Sequence, residues 1–239
     1  MARSIYIASP NAGTGKSTVA LGLVSCLTKV VAKVGVFRPF VESREGDAFL
    51  SLLLNRAGSA TPPEQCVGAT WDEFHADPEE ALARIVDAYR ALAREHDVVI
   101  IDGSDFTDVA GNPELALNAR VAANIGVPVL LVVSGQNDVE DVVASVEVSM
   151  AEIADNHART VAVVANKCLP ETRQAVGEAL TAIEGITSTT LPEVPLLAAP
   201  VVREVLDAVE GTLIAGDETL LDREAESVLV CAMDVSHVL

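Results

Sequence analysis

The chain has 239 residues, half of them hydrophobic, and a formal net charge of −19 at pH 7. This length is enough to bury one large core, and a strongly acidic chain repels nucleic acid and anionic membranes, so we expect neither as a partner. No apolar run approaches the roughly 20 residues that span a bilayer, and the first ten residues are too short and polar for a secretory signal. We therefore expect a cytoplasmic protein.

Short Val and Ile runs alternate with helical stretches along the chain, which is typical of a parallel sheet in an α/β fold. The predicted strands span residues 4–9, 34–37, 97–101, 127–133, 160–165 and 186–191. The predicted helices span residues 17–31, 48–55, 77–96, 112–126, 139–157, 171–183 and 201–208. Aromatic residues make up only 3%, so the core must consist largely of aliphatic side chains.

Local signals refine several of these elements. Arg38-Pro39 is expected to close the second strand, and residues 41–76 are expected to be mostly loop around one short helix. Asp77 and Glu80 predict a capping box at the start of a helix. The strand at 127–133 is the most apolar and is expected to be central. The four cysteines are widely spaced, which favours reduced thiols over zinc ligands or disulfides.

A glycine-rich loop with a lysine follows the first predicted strand and opens a helix. Its residues are Asn11, Ala12, Gly13, Thr14, Gly15, Lys16, Ser17 and Thr18. Backbone N–H groups and the helix dipole in such a loop bind phosphates, the lysine reaches the β- and γ-phosphates, and the following hydroxyl ligates Mg²⁺. Pro10 stands where the usual pattern has its first glycine. The alternative is an ordinary glycine-rich turn with a solvated lysine.

Three further residues are candidates for the same site. Asp102 ends an apolar strand, as the magnesium-binding acid of P-loop proteins does, although it could instead cap the next loop. Asp47 is a weaker candidate for a metal ligand, because a lone loop acid is most often a solvated charge. Asn166 follows a predicted strand and could read a nucleotide base, although asparagine there is more commonly a turn former.

These motifs occur in the same order as in dethiobiotin synthetase, which the chain resembles. The resemblance implies a P-loop NTPase-like three-layer fold with a mostly parallel sheet. The resemblance rests on the loop at 11–18, Phe37-Arg38-Pro39, Gly46-Asp47-Ala48, residues 99–103, residues 127–129 and residues 165–167. It implies ATP and Mg²⁺ as cofactors, with Lys16 and Ser17 on the nucleotide, Asp47 and Asp102 on the metal, and Asn166 on adenine. Arg38 replaces the family's lysine, Asp102 its glutamate, and Ser104-Asp105-Phe106 its glycine-rich stretch.

A second resemblance covers essentially the whole chain. Residues 5–10, 34–39, 102–105 and especially 229–239 are similar to the amino-terminal domain of long-form bacterial phosphate acetyltransferases. It implies a P-loop domain at 1–216 and, at 217–239, a linker running into a following domain. The acetyl-transfer residues would lie beyond Leu239, in a carboxy-terminal acetyltransferase domain in cis.

The resemblance implies a homo-oligomer in which this domain serves in assembly and binds a nucleotide or metabolite effector. Two alternatives remain open. One is a stand-alone ATP- and Mg²⁺-dependent ligase of the dethiobiotin synthetase type, in which Lys16 is catalytic. The other is a non-catalytic oligomerisation scaffold, since a fold does not fix a function.

Overall fold

A computed structural model of the chain describes residues 3–104 and 114–225. The chain divides into two compact units, Met1–Pro192 and Glu193–Leu239. The predicted domain boundary after residue 216 stays a prediction. Residues 226–239 of the predicted linker lie outside the described residues, as do Asp105 and Phe106.

A seven-stranded sheet forms the centre of the first unit, and all of its described strand pairs are parallel. The strands are β1 (Arg3–Ala8), β2 (Val34–Val41), β3 (Val67–Thr70), β4 (Val98–Asp102), β5 (Val129–Ser134), β6 (Thr160–Cys168) and β7 (Thr187–Pro192). Their order across the sheet is β3-β2-β4-β1-β5-β6-β7. Because parallel neighbours need crossover connections, the helices between the strands pack on the sheet. The predicted α/β fold class is confirmed.

Seven helices connect or follow these strands in the described part of the first unit. They are α1 (Lys16–Leu27), α2 (Ala48–Ala57), α3 (Trp71–Ala76), α4 (Pro78–Glu95), α5 (Glu114–Ile125), α6 (Val139–Asp155) and α7 (Arg173–Thr181). The core between helices and sheet is mostly Val, Leu, Ile and Ala, as the composition predicts. Cys26, Cys66 and Cys168 are free thiols, whereas Cys231 lies outside the described residues.

The segment expected to be mostly loop contains regular structure that the sequence analysis missed. β2 does not end at Arg38-Pro39 but continues to Val41, because β3 pairs with its last residues. β3 has only four residues, too few to show a pattern. A Cβ at Gly68 would lie 2.5 Å from the Pro39 carbonyl oxygen, so β3 packs this closely only because it carries a glycine.

Two smaller expectations also need correction. The central strand is β1, with three strands on each side, and β5 lies next to it. Asp77 does cap α4 by accepting from the Glu80 backbone N–H, but the Glu80 carboxylate pairs with Arg84 instead of completing the box. The reciprocal capping box is found at α3, between Thr70 and Glu73.

The second unit contains one short helix, α8 (Val202–Ala208), and two 3-10 turns, Pro195–Ala198 and Glu218–Asp222. An isolated antiparallel bridge joins Val201 to Glu224. α8 buries none of its residues. Among the described residues of the whole chain, no helix is long and apolar enough to cross a membrane.

Candidate functional site

The predicted loop lies at the centre of the sheet, where the strand order reverses. β1 pairs with β4 on one side and β5 on the other, and the loop at 9–15 connects β1 to α1. Ligands of open α/β sheets bind in the crevice at such a reversal, beyond the carboxyl ends of the strands. The start of α1 adds a partial positive charge at the same place, which favours an anion.

Two glycines give the loop its shape. Gly13 and Gly15 have φ angles of 76° and 82°, in the left-handed region that other residues rarely adopt. The end of β6 fixes the loop from the other side. The Asn166 side-chain amide donates to the Thr14 carbonyl oxygen at 2.8 Å, and the Lys167 ammonium donates to the Gly13 carbonyl oxygen at 2.8 Å.

Lys16 is almost fully buried and directed at the end of β4. Its ammonium donates to Asp102 Oδ1 at 2.7 Å and to the Gly103 carbonyl oxygen at 2.5 Å. The side chains of Lys16 and Asp102 are 1% and 0% exposed. Because a buried charge needs a partner, this pair holds the P-loop lysine and the predicted metal-binding acid together.

Arg38 joins the two predicted acidic metal ligands. Its guanidinium Nη1 donates to Asp47 Oδ2, while its Nε lies 3.4 Å from Asp102 Oδ2. The second contact is an ion pair by distance, but both of its atoms lack an aligned hydrogen bond. The contact between Arg38 Nε and Asp102 Oδ2 is therefore an electrostatic attraction and not a hydrogen bond. Asp47 also caps α2, since its Oδ1 accepts from the Leu50 backbone N–H at 2.8 Å.

The donor set as arranged here does not fit a magnesium ion. Mg²⁺ takes one or two carboxylates at about 2.0–2.1 Å in octahedral geometry. The carboxylates of Asp47 and Asp102 are instead paired with Arg38 and Lys16. The third predicted metal ligand, Ser17, is half-buried. No cluster of three or more His, Cys, Asp or Glu suited to a metal is found in residues 3–104 and 114–225. The predicted metal role of these residues stays a prediction.

A buried polar network that the sequence analysis missed supports the ends of β1 and β4. The Tyr6 hydroxyl donates to Asn118 Oδ1 at 2.7 Å, and the Ser104 backbone N–H donates to the same oxygen at 3.0 Å. Tyr6 and Asn118 are 0% exposed. The available signal was Asn118 itself, one polar residue among the buried apolar positions of α5.

The position of Tyr6 predicts a pH dependence of stability. Burial, with smaller contributions from the negative charges of Asp102 and Glu114, raises the pKa of the Tyr6 phenol well above its ordinary value of 10.0. Above pH 10 the unfolded chain loses this proton and the folded chain keeps it, so this contribution to stability falls as pH rises. In denaturant titrations above pH 10, the free energy of unfolding should fall more steeply for the wild type than for Tyr6→Phe. Parallel curves would contradict this.

A cavity of about 300 Å³ lies beside Asp47, and no residue of the loop at 11–18 lines it. Arg38, Asp47, Ser104 and the chain's single tryptophan, Trp71, are among the residues that line it. Trp71 is 7% exposed and stacks on Phe40, with ring centroids 4.7 Å apart.

The structure thus brings most of the predicted site residues together. Lys16, Asp102, Arg38 and Asp47 form one linked group, and Asn166 contacts the loop through Thr14. Asn11, Ala12, Gly13 and Thr18 are exposed at the loop and the first turn of α1. The fold and this loop define a P-loop NTPase-like class of protein.

Comparison with known families agrees with this class. A family model described as an AAA domain matches residues 3–205. The chain therefore belongs to this P-loop family.

Curated relatives carry two names. Phosphate acetyltransferases from Synechocystis sp. and Nitratidesulfovibrio vulgaris are each 25% identical to the chain over its full length, over 251 and 255 aligned residues respectively. The chain spans 36% of the length of each. The ATP-dependent dethiobiotin synthetase BioD of Nitrosopumilus maritimus is 24% identical over 114 residues, which is 42% of this chain and 50% of that protein.

Solved structures show the same fold at low identity. A plasmid partition protein from Borrelia burgdorferi B31 bound to AMPPNP has a TM-score of 0.57 and 14% identity, covering 92% of this chain and 94% of that one. MinD from Pyrococcus horikoshii with Mg-ADP has a TM-score of 0.51 and 20% identity, covering 83% and 84%. Chloroplast FtsY from Physcomitrella patens has a TM-score of 0.56 and 19% identity, covering 81% and 59%.

Proposed function

We propose that the chain is a nucleotide-binding regulatory domain of a phosphate acetyltransferase, with ATP as its ligand. The observation that carries the proposal is the loop itself: it follows the central strand, opens α1, and places Lys16 beside the acid that ends β4. Backbone N–H groups at such a helix start bind phosphates. The buried Thr14 hydroxyl, which has no hydrogen-bond partner in the described part of the chain, is a further polar group in the loop.

The attached activity is inferred from the relatives. Phosphate acetyltransferases match this chain along its whole length, and the chain spans 36% of theirs. In this proposal the full protein interconverts acetyl-CoA and phosphate with acetyl phosphate and coenzyme A, through residues of a carboxy-terminal domain in cis. Nucleotide at the loop biases the conformation or assembly of a cytoplasmic homo-oligomer, which requires different affinities for two states.

The proposal is tested first by calorimetric titration of the 239-residue chain with ATP. The control is Lys16→Met/Asp102→Asn, a double variant that removes the ammonium without leaving a buried carboxylate alone. Binding to the wild type and none to the control would support a working site. In the full protein, unchanged effector responses on the same substitutions would count against a regulatory role.

The dethiobiotin synthetase relative favours one second candidate, an ATP-dependent ligase. Lys16 would then position and neutralise phosphates during transfer. Turnover of ATP by the wild type, lost in the Lys16→Met/Asp102→Asn variant, would support this function. Tight binding without turnover would favour the regulatory one.

The contacts of Asn166 predict a preference among bases. One of its two amide N–H groups donates to the Thr14 carbonyl, and no donor in the described part of the chain contacts its Oδ1, so this acceptor is available to a ligand. An acceptor suits the amino group of adenine and not the carbonyl oxygen of guanine, so ATP should bind at least about tenfold more tightly than GTP. Competition titrations of the wild-type chain with the two nucleotides measure the ratio. Equal affinity for ATP and GTP would rule out this role of Asn166.

A further inference from the structure

Two buried or half-buried acids in the site share one guanidinium. Arg38 contacts Asp47 through Nη1 and lies 3.4 Å from Asp102 through Nε. Lys16 holds the other oxygen of Asp102, at 2.7 Å. Among the residues that the structure describes here, two carboxylates and two cations therefore balance one another without any metal ion.

Movement of Lys16 onto a bound phosphate would disturb this balance. Asp102 is 0% exposed, and a carboxylate left in that position without a cation is strongly unfavourable. In P-loop proteins generally a magnesium ion is held by an acid at this place. Here the group already next to Asp102 Oδ2 is the Arg38 side chain.

We propose that Arg38 takes the place of the divalent cation, so that the loop binds a nucleotide's phosphates without magnesium. The inference rests on the proposed nucleotide binding and specifies its chemistry. When Lys16 turns to the phosphates, Arg38 remains as the cation next to both Asp47 and Asp102.

The surroundings of Arg38 suit this role. Its side chain is 18% exposed, and its guanidinium carbon lies 5.8 Å from the centre of the Phe49 ring, within range of a cation–π contact. A guanidinium stays charged at every accessible pH and can bridge two carboxylates through its planar fork. Among the described residues no acceptor contacts its Nη2, and the residue lines the 300 Å³ cavity, so donors remain for a ligand.

A magnesium ion would have to displace this arrangement. It would need oxygens of Asp47 or Asp102 that Arg38 and Lys16 now hold.

The test is titration of the wild-type chain with ATP, once in EDTA and once with magnesium, beside Arg38→Met. For the wild type we expect affinities within about threefold of each other under the two conditions. For Arg38→Met we expect binding at least about tenfold weaker in EDTA and restored by magnesium, since the freed carboxylates can then take the ion. Arg44→Met, which removes an arginine from a pair with Glu73 at the surface, should behave as the wild type.

The outcomes separate this inference from the proposed function. Wild-type binding only with magnesium overturns the role of Arg38 and leaves nucleotide binding intact, whereas no binding under either condition overturns both. Titration with Mn²⁺ gives a second readout that needs no nucleotide. The wild type should bind no Mn²⁺ at this site, and competition between Mn²⁺ and magnesium for a site lost in Asp102→Asn would contradict the inference.

Discussion

Lys16→Met is expected to lower the free energy of unfolding by about 3–5 kcal/mol, the usual cost of removing one partner from a buried ion pair. Lys16 and Asp102 are 1% and 0% exposed and lie 2.7 Å apart. Methionine fills much of the same space, so the loss comes mainly from the buried carboxylate that remains. Arg38 Nε lies 3.4 Å from Asp102 Oδ2, and its positive charge offsets part of this loss of stability.

A double-mutant cycle isolates the interaction. Adding Asp102→Asn to Lys16→Met removes the unpaired charge, so most of the lost stability should return. Urea unfolding of the wild type, both single variants and the double variant gives the four free energies. The ion pair would not stabilise the fold as proposed if Lys16→Met were as stable as the wild type. The same conclusion would follow if the double variant were no more stable than Lys16→Met.

Gly15→Ala is expected to cost about 3 kcal/mol or more, which combines left-handed backbone strain with a steric clash. The φ of Gly15 is 82°, and a Cβ there would overlap the side-chain amide of Asn166. That overlap would also break the hydrogen bond from Asn166 to the Thr14 carbonyl oxygen, which holds the loop against β6.

Gly13→Ala is the matched control, because it introduces the backbone strain without a steric clash. Gly13 has a similar φ of 76°, but a Cβ there would meet no atom within 4 Å. It should therefore cost only the strain, about 1–2 kcal/mol. In an Asn166→Ala background, Gly15→Ala should add only about that smaller value, because the clash is removed. Equal destabilisation by the two single substitutions, measured by urea unfolding, would show that Asn166 does not restrict this position.

The alternation of apolar runs and helical stretches predicted the α/β class and most elements, because each signal is local. The loop at 11–18 and the acid ending β4 were predicted for the same reason, since strand, turn and helix follow one another directly. β3 was missed because it has four residues and depends on contacts with β2 and α4.

Arg38 joins residues of the site that are far apart in the sequence. Arg38 meets Asp102 across 64 positions, and Tyr6 meets Asn118 across 112, so neither pair leaves a pattern in the chain. The sequence identified Arg38 only as a departure from the lysine of dethiobiotin synthetase. The parallel pairing of β2 with β4 is what brings the arginine to the carboxylates.

Calorimetric titration of the 239-residue chain with ATP, beside the Lys16→Met/Asp102→Asn variant, tests nucleotide binding most directly. We predict one site per chain in the wild type, both in EDTA and with magnesium, and no binding to the variant. Absence of binding to the wild type under both conditions would contradict nucleotide binding at this loop and would favour a scaffold that keeps the P-loop fold without its ligand.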